Sequence, residues 1–300
     1  MTTSQPELGP CRIADAEGSV PPGPAVRRHK LGMLLRQLRQ QRSLRLEEVA
    51  ESLGVSPSTL SRIETGQAPT RTSYLAVMLN LYGVEDETQR RLLTDMAREG
   101  QRKAWWAEYD ELLPPGVDGY LRLEATASHV WCYSPQVVPD LLQTADYAAA
   151  VIRASRPDLN GQQVSKLVAL LLRRQEHPQH GSLRLHAVID ESVLSRPIAP
   201  ARVWTDQLER LLAVSTRPSV TIQVTTQTAE APMLSPPFTL LSFTGPADPA
   251  VACCHGPGGQ VITSRRRTDV CVMDATFNIL SAIAMSPAST VQFISNLIHT

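Results

Sequence analysis

The 300-residue sequence has no apolar run of roughly 18 or more residues and no signal peptide at its start, so nothing in it reads as a transmembrane or secreted segment. It carries no lipidation motif either. Its five cysteines, Cys11, Cys132, Cys253, Cys254 and Cys271, are odd in number and follow no framework spacing, which excludes both a disulfide scaffold and a paired Cys-x-x-Cys metal site. No Gly-rich phosphate loop occurs, because Gly256-Pro257-Gly258-Gly259 falls between two strand-like runs and reads as a hairpin turn. Formal net charge is zero, which argues against a chain coated in nucleic acid along its length. The expectation is a cytoplasmic protein with reduced thiols and no membrane partner.

Charge is present but unevenly placed. From Val26 to Asn80 nine basic residues (Arg27, Arg28, Lys30, Arg36, Arg39, Arg42, Arg45, Arg62, Arg71) face four acidic ones (Glu47, Glu48, Glu51, Glu64), a net +5 that leaves the remainder at −5. Within this segment Leu46, Val49, Ala50 and Leu53 recur at helical spacing. Gly54 then supplies a left-handed stop, and Ser56 with Pro57 supplies an N-cap and first helical residue for a second helix whose buried side is Leu60 and Ile63. Two such short helices bury little alone, and Leu31, Leu34, Leu35 and Leu38 offer a third helix, over residues 25–43, to lie beneath them. The unit reads as a helix-turn-helix. Leu75, Met78, Leu79 and Tyr82 predict a fourth helix ended by Gly83, and Asp86 to Lys103 a charged fifth with Leu92, Leu93 and Met96 on one side.

The run Val49-Ala50…Gly54-Val55-Ser56…Leu60-Ser61-Arg62-Ile63-Glu64…Gly66 resembles the Xre/Cro/C1-type repressor family over about residues 31–83. The resemblance implies that Arg39 and Glu64 form a structural ion pair, and that the exposed side of the recognition helix, with Ser58, Ser61 and Arg62, meets base edges while Thr59 reaches a phosphate or bonds within its own turn. Arg62 is the expected specificity residue, with a phosphate contact as the alternative. Arg36 and Arg45 are further expected DNA contacts, and Arg27, Arg28 and Lys30 are either phosphate contacts or solvated. Two positions depart from the family. Arg45-Leu46 stands where relatives often carry Ser-Gln, and Pro57 stands where a glutamine often opens the recognition helix.

Residues 1–25 lack periodic apolar positions and read as a disordered tail. The expected organisation is a helix-turn-helix domain over 26–83, all α with about five helices, a connector helix over 84–104 that also serves dimerisation, and a C-terminal domain over 105–300. In the last, helical segments precede strand candidates at His129 to Tyr133, Leu183 to Ile189, Val220 to Val224, Phe238 to Phe243, Val251 to Cys254 and Gln260 to Ser264, with helices at 205–214, 269–284 and 288–298. The class is α+β with a mainly antiparallel sheet.

Trp106 with Tyr109, Leu123-Glu124-Ala125, Val138-Pro139…Leu141-Leu142-Gln143-Thr144…Tyr147, Arg173-Arg174-Gln175, Asp190-Glu191…Leu194, Gln207-Leu208, Pro237-Phe238 and Ser286-Pro287 resemble the C-terminal domain of actinobacterial Scr1-type antitoxin-like regulators. That resemblance implies a transcription regulator whose C-terminal domain senses a partner protein or ligand. The other implied function is an antitoxin-like protein that sequesters a small companion protein encoded nearby and autoregulates its operon. Double-stranded DNA and a second copy of the chain are the expected partners.

The sequence assigns no enzymatic activity, no cofactor and no metal. Cys253-Cys254-His255 is the most suggestive triplet, but in a strand Cys253 and His255 share one face and Cys254 the other, so buried apolar thiols compete with a metal or nucleophile reading. His177 and His180 read as a solvated helix end, Asp190-Glu191 as a loop cap or partner contact, and Arg265-Arg266-Arg267 as a solvated charge run with a phosphate contact as the alternative.

Overall fold

The computed structural model describes residues 24–100, 104–176, 183–226, 235–243 and 249–299. Most of the expected N-terminal tail with Cys11, and the pair His177 and His180, lie outside the described residues. The described chain divides into two compact units, one up to Glu108 and one from Tyr109 onward.

In the first unit, leucines one turn apart start the core. Helix α1 (Pro24–Gln41) buries Leu31 and Leu35, with Leu38 partly covered, whereas Leu34 remains 38 % exposed. The reason is angular: Leu31, Leu35 and Leu38 form the middle of the stripe, and Leu34 lies at its edge, about 40° beyond Leu38. Helices α2 (Leu46–Leu53), α3 (Pro57–Glu64) and α4 (Thr72–Leu81) add Val49, Ala50, Leu53, Leu60, Ile63, Leu75, Met78 and Leu79 to the same cluster. Helix α5 (Glu87–Gly100) packs against α1 and α4, and its Leu93 and Ala97 are buried in that cluster. The segment expected as a connector is therefore a core helix of this unit. Met96 packs at the edge of the cluster and Leu92 points to solvent.

The first unit holds five α-helices, and the second adds seven among the described residues. The seven are α6 (Val117–Glu124), α7 (Ala145–Ser155), α8 (Gly161–Glu176), α9 (Glu191–Ser195), α10 (Ala201–Ser215), α11 (Arg267–Ile283) and α12 (Pro287–His299). Between them run β1 (His129–Ser134), β2 (Arg184–Asp190), β3 (Val220–Thr225), β4 (Phe238–Ser242), β5 (Val251–His255) and β6 (Val261–Ser264). The six strands form one sheet in the order β3-β2-β1-β4-β5-β6.

This sheet is mixed: β1/β2 and β2/β3 pair parallel, while β1/β4, β4/β5 and β5/β6 pair antiparallel. Three of the five pairs are antiparallel, so the sheet is mostly antiparallel as expected, with parallel pairing confined to β1/β2 and β2/β3. Each is joined through helices, α7 and α8 between β1 and β2 and α9 and α10 between β2 and β3, which give the chain the length to return in the same direction. By contrast β5 and β6 are joined by the tight Gly256–Gln260 connection, which forces the hairpin expected from its glycines.

Alternation divides the sheet between two layers. Tyr133, Val188, Phe238, Leu240 and Ala252 pack with Val270, Phe277 and Leu280 of α11. Val130 and Cys132 of β1, Leu185 of β2, Thr239 of β4 and His255 of β5 line a cavity whose other walls include residues of α7 and α8.

Candidate functional site

The DNA-reading element is assembled by short-range chemistry. Gly54, at φ 64° and ψ 34°, ends α2, and its N–H is taken up by the Ala50 and Glu51 carbonyls. Ser56 opens α3 by accepting a hydrogen bond from the Thr59 N–H at 3.2 Å, and Pro57 occupies the first helical position. Ser58, Ser61 and Arg62 are exposed on α3, whereas Thr59 is half-buried with its hydroxyl 2.9 Å from Ser56 Oγ. The Thr59 hydroxyl is thus engaged inside the first turn. Arg36 is exposed on α1, one turn on from Gly32, at the edge of the α1 face that meets α3.

Two of the contacts that hold α3 on α1 are the tightest. Arg39 binds Glu64 bidentately, Nε to Oε1 at 2.7 Å and Nη2 to Oε2 at 2.9 Å, with side chains 11 % and 3 % exposed. A third Arg39 donor, Nη1, reaches the Leu44 carbonyl at 2.9 Å, so one guanidinium joins α1, the α1–α2 turn and the end of α3. The second contact is a close approach at Gly32, where an added Cβ would stand 2.5 Å from the Ile63 carbonyl oxygen and 2.7 Å from that of Glu64. The sequence reading missed Gly32. A glycine inside an otherwise good helix, which costs about 1 kcal/mol against alanine, is the signal that could have found it.

The basic residues divide into two groups. Arg28, buried, donates from Nε to the Gly100 carbonyl at 2.9 Å and so caps the end of α5. Arg42 does the same for the end of α4, reaching the Tyr82 and Gly83 carbonyls at 2.8 and 3.2 Å. Arg28 is therefore a brace, where phosphate contact or solvation was expected. Arg45 caps nothing with its side chain. Its N–H and guanidinium are both held by the Glu48 carboxylate at 2.9 and 2.8 Å, which supplies the polar helix start that a Ser-Gln pair would otherwise give. Lys30, Arg36, Arg62 and Arg71 are exposed.

The second unit holds a cavity of about 400 Å³. Arg174 of α8 lies in its wall and makes three charge-assisted hydrogen bonds: Nε and Nη2 to the two oxygens of Glu124 at 2.9 and 2.8 Å, and Nη1 to Asp140 Oδ2 at 3.0 Å. Arg174 and Glu124 are buried, and the Arg174 guanidinium also lies 5.9 Å from the Tyr120 ring centroid. Glutamines from three elements hold the loop that carries Asp140. Gln175 donates to the Asp140 and Gln143 carbonyls, Gln143 to the Val138 carbonyl, and the fully buried Gln207 to the Leu142 carbonyl while accepting from the Thr144 N–H. A loop without a ladder partner thereby has its backbone groups satisfied.

His255 enters the same cavity. Its Nε2 is 2.8 Å from Thr239 Oγ1 and its ring meets Tyr120 edge to face at 5.5 Å. Burial, the larger influence, lowers its pKa, so the imidazole is neutral near pH 7. Cys253 is buried on the strand between, and burial first and the neighbouring Cys254 second push its thiol up to about 12. A thiol held protonated in this way is a poor nucleophile and a poor metal ligand at neutral pH. Among the described residues no group of three or more His, Cys, Asp or Glu side chains is placed to hold a metal ion. Asp190 caps α9, accepting from the Ser192 N–H at 2.9 Å, and Arg265, Arg266 and Arg267 are exposed at the start of α11.

Glu124 and Arg174 were visible in the sequence only as parts of a resemblance. Their signal is the one that marked Arg39 and Glu64: each is a charged residue at helical spacing with buried ones, Tyr120 and Leu121 for Glu124, Leu170 and Leu171 for Arg174.

Two family models match the chain. A helix-turn-helix domain matches residues 30–93, and a domain of unknown function, DUF5753, matches residues 117–296. The first match supports a DNA-binding module in the N-terminal unit. Neither the comparison with curated proteins nor that with solved structures gave a match. No single helix among the described residues is long and apolar enough to cross a membrane.

Proposed function

The chain belongs to the family of the domain of unknown function DUF5753, and because a helix-turn-helix domain precedes that domain we propose that it is a sequence-specific DNA-binding transcriptional regulator whose C-terminal domain senses a partner protein or ligand. The observation that carries this reading is the geometry of α3: a capped helix, fixed to α1 from behind by Arg39 and Glu64, presents Ser58, Ser61 and Arg62 to solvent. In this role Arg62 reads a base edge, and Arg36 with the exposed basic residues around it contacts phosphates. The protein acts as a homodimer, because one recognition helix reads few base pairs, and two-fold half-sites stand about 34–36 Å apart. It catalyses no reaction and uses no cofactor.

A second reading is an antitoxin-like protein of the Scr1 type that sequesters a small companion protein and autoregulates its operon. It draws on α11, where Val272 and Ile279, two turns apart, are exposed and offer apolar surface to a protein partner. Selection of genome fragments with purified chain at physiological salt, followed by footprinting, tests the first reading. A two-fold symmetric protected site supports it, and salt-sensitive binding without sequence enrichment refutes it. A stable stoichiometric complex with the companion protein, formed without any operator, would favour the second.

A further inference from the structure

We infer that the cavity of the C-terminal unit binds an uncharged, largely apolar small molecule that places one polar group against Tyr120, His255 and Thr239. The inference rests on the proposed sensory role and gives it a ligand class.

Size comes first. A cavity of about 400 Å³ lies within the range of small-molecule sites and is too small for a folded element of a partner. Its walls are mainly hydrocarbon, with Val130, Val138, Leu170, Leu171 and Leu185 among them. A ligand that fills it gains chiefly by leaving water.

Charge decides the next point. An anion would need an uncompensated guanidinium or ammonium, and the Arg174 charge already faces both Glu124 oxygens and Asp140. Arg156, the other cation in the lining, is bound by both oxygens of Asp158 at 2.9 Å. Two carboxylates around the single cation Arg174 leave this wall negative, which repels a carboxylate or phosphate. A cation fares little better, since Asp140, 55 % exposed at the rim, is the one carboxylate with an oxygen not bonded to Arg174, and the deeper walls are apolar. A neutral molecule meets neither obstacle.

Three neutral polar side chains, Tyr120, Thr239 and His255, stand together on one wall. Tyr120 is only 6 % exposed and lines the cavity together with Thr239 and His255. His255 packs against the same ring and is itself oriented by Thr239, so the three form a rigid polar end beneath an apolar chamber.

The test uses two fluorescent probes with one skeleton, uncharged N-phenyl-1-naphthylamine and its sulfonated relative 8-anilinonaphthalene-1-sulfonate, titrated into the full chain. The expected result is saturable binding of the uncharged probe at a single site, with the sulfonate bound at least about tenfold more weakly. Leu171→Trp and, independently, Val151→Trp, which fill the cavity from α8 and α7, should each abolish that binding while circular dichroism shows a folded chain. Tyr120→Phe should weaken it several-fold. Equal binding of the two probes, no saturable binding, or binding unchanged in both filled variants would overturn the inference. DNA binding is measured in parallel: if a saturating uncharged probe leaves it unchanged, the sensory link fails while the binding site stands.

Discussion

Replacing Glu64 with alanine should unseat the recognition helix, and the size of the effect follows from what is left behind. In the native unit the Arg39 guanidinium makes three hydrogen bonds, two of them to Glu64, with the Arg39 side chain 11 % exposed. Glu64→Ala removes two of the three and leaves a nearly buried positive charge facing the Leu44 carbonyl alone. Breaking one partner of a buried pair costs about 3–5 kcal/mol, a large share of the roughly 5–15 kcal/mol that holds a domain together. The double variant Arg39→Met/Glu64→Leu removes both charges and fills the space with hydrocarbon. It should recover to within about 1 kcal/mol of the native chain, the residual being the lost bond to Leu44. Hydrogen exchange followed by mass spectrometry reads the effect where it occurs. Protection of the α1 and α3 amides should drop by roughly two to three and a half orders of magnitude in Glu64→Ala, with α10 and α11 unchanged. A loss under about 1 kcal/mol, the worth of a solvent-exposed pair, would refute the brace. A double variant as damaged as the single one would refute the charge argument behind it.

Other consequences are testable separately. Arg62→Ala should cost about 1–3 kcal/mol on the preferred site and relax preference at one base position, whereas Arg36→Ala should weaken all sequences alike and reduce the salt slope by about one; equal effects of both on every sequence would sink the base-reading assignment. Gly32→Ala should abolish specific DNA binding, because its Cβ would lie 2.5 Å from the Ile63 carbonyl oxygen and force α3 off α1; unchanged binding in an electrophoretic shift would show that the helices can part without loss. Arg174→Met should destabilise the C-terminal unit by about 3–5 kcal/mol in urea unfolding by stranding buried Glu124, and full stability would refute that pairing. Burial lowers the pKa values of His129, His186 and His255, so the unfolded chain takes up protons first on acidification. Stability should therefore fall as pH drops through the unfolded histidine value of about 6.5, read as a lower urea midpoint at about pH 5.5 than at about pH 7.5, with a flat or rising midpoint refuting the sign.

The head was legible because its signals are local. Gly54, Ser56 and Pro57 act within one turn of themselves, and the spacing of Leu46, Val49, Ala50 and Leu53 needs no partner to be recognised. The position of α5 was not legible, because nothing in Glu87–Gly100 says whether Leu93 or Leu92 meets a core; only packing against α1 and α4 decides it. Strand positions in the C-terminal unit were likewise readable from short apolar runs, but the two parallel pairings were not. Which strand returns beside β1 depends on where α7 and α8 lie, a contact between segments some fifty residues apart in the sequence.

The cavity shows the same division. Tyr120, Asp140, Arg174, Thr239 and His255 come from α6, a loop, α8, β4 and β5, and no spacing rule relates them. What the sequence determined by itself was the set of elements and the helix-turn-helix, because caps, turns and hydrophobic periods act over a few residues. Packing alone settled which charged groups compensate one another, Arg39 with Glu64 and Arg174 with Glu124 and Asp140, and which face a ligand or DNA. Burial and proximity set that division, and both exist only once distant segments have packed.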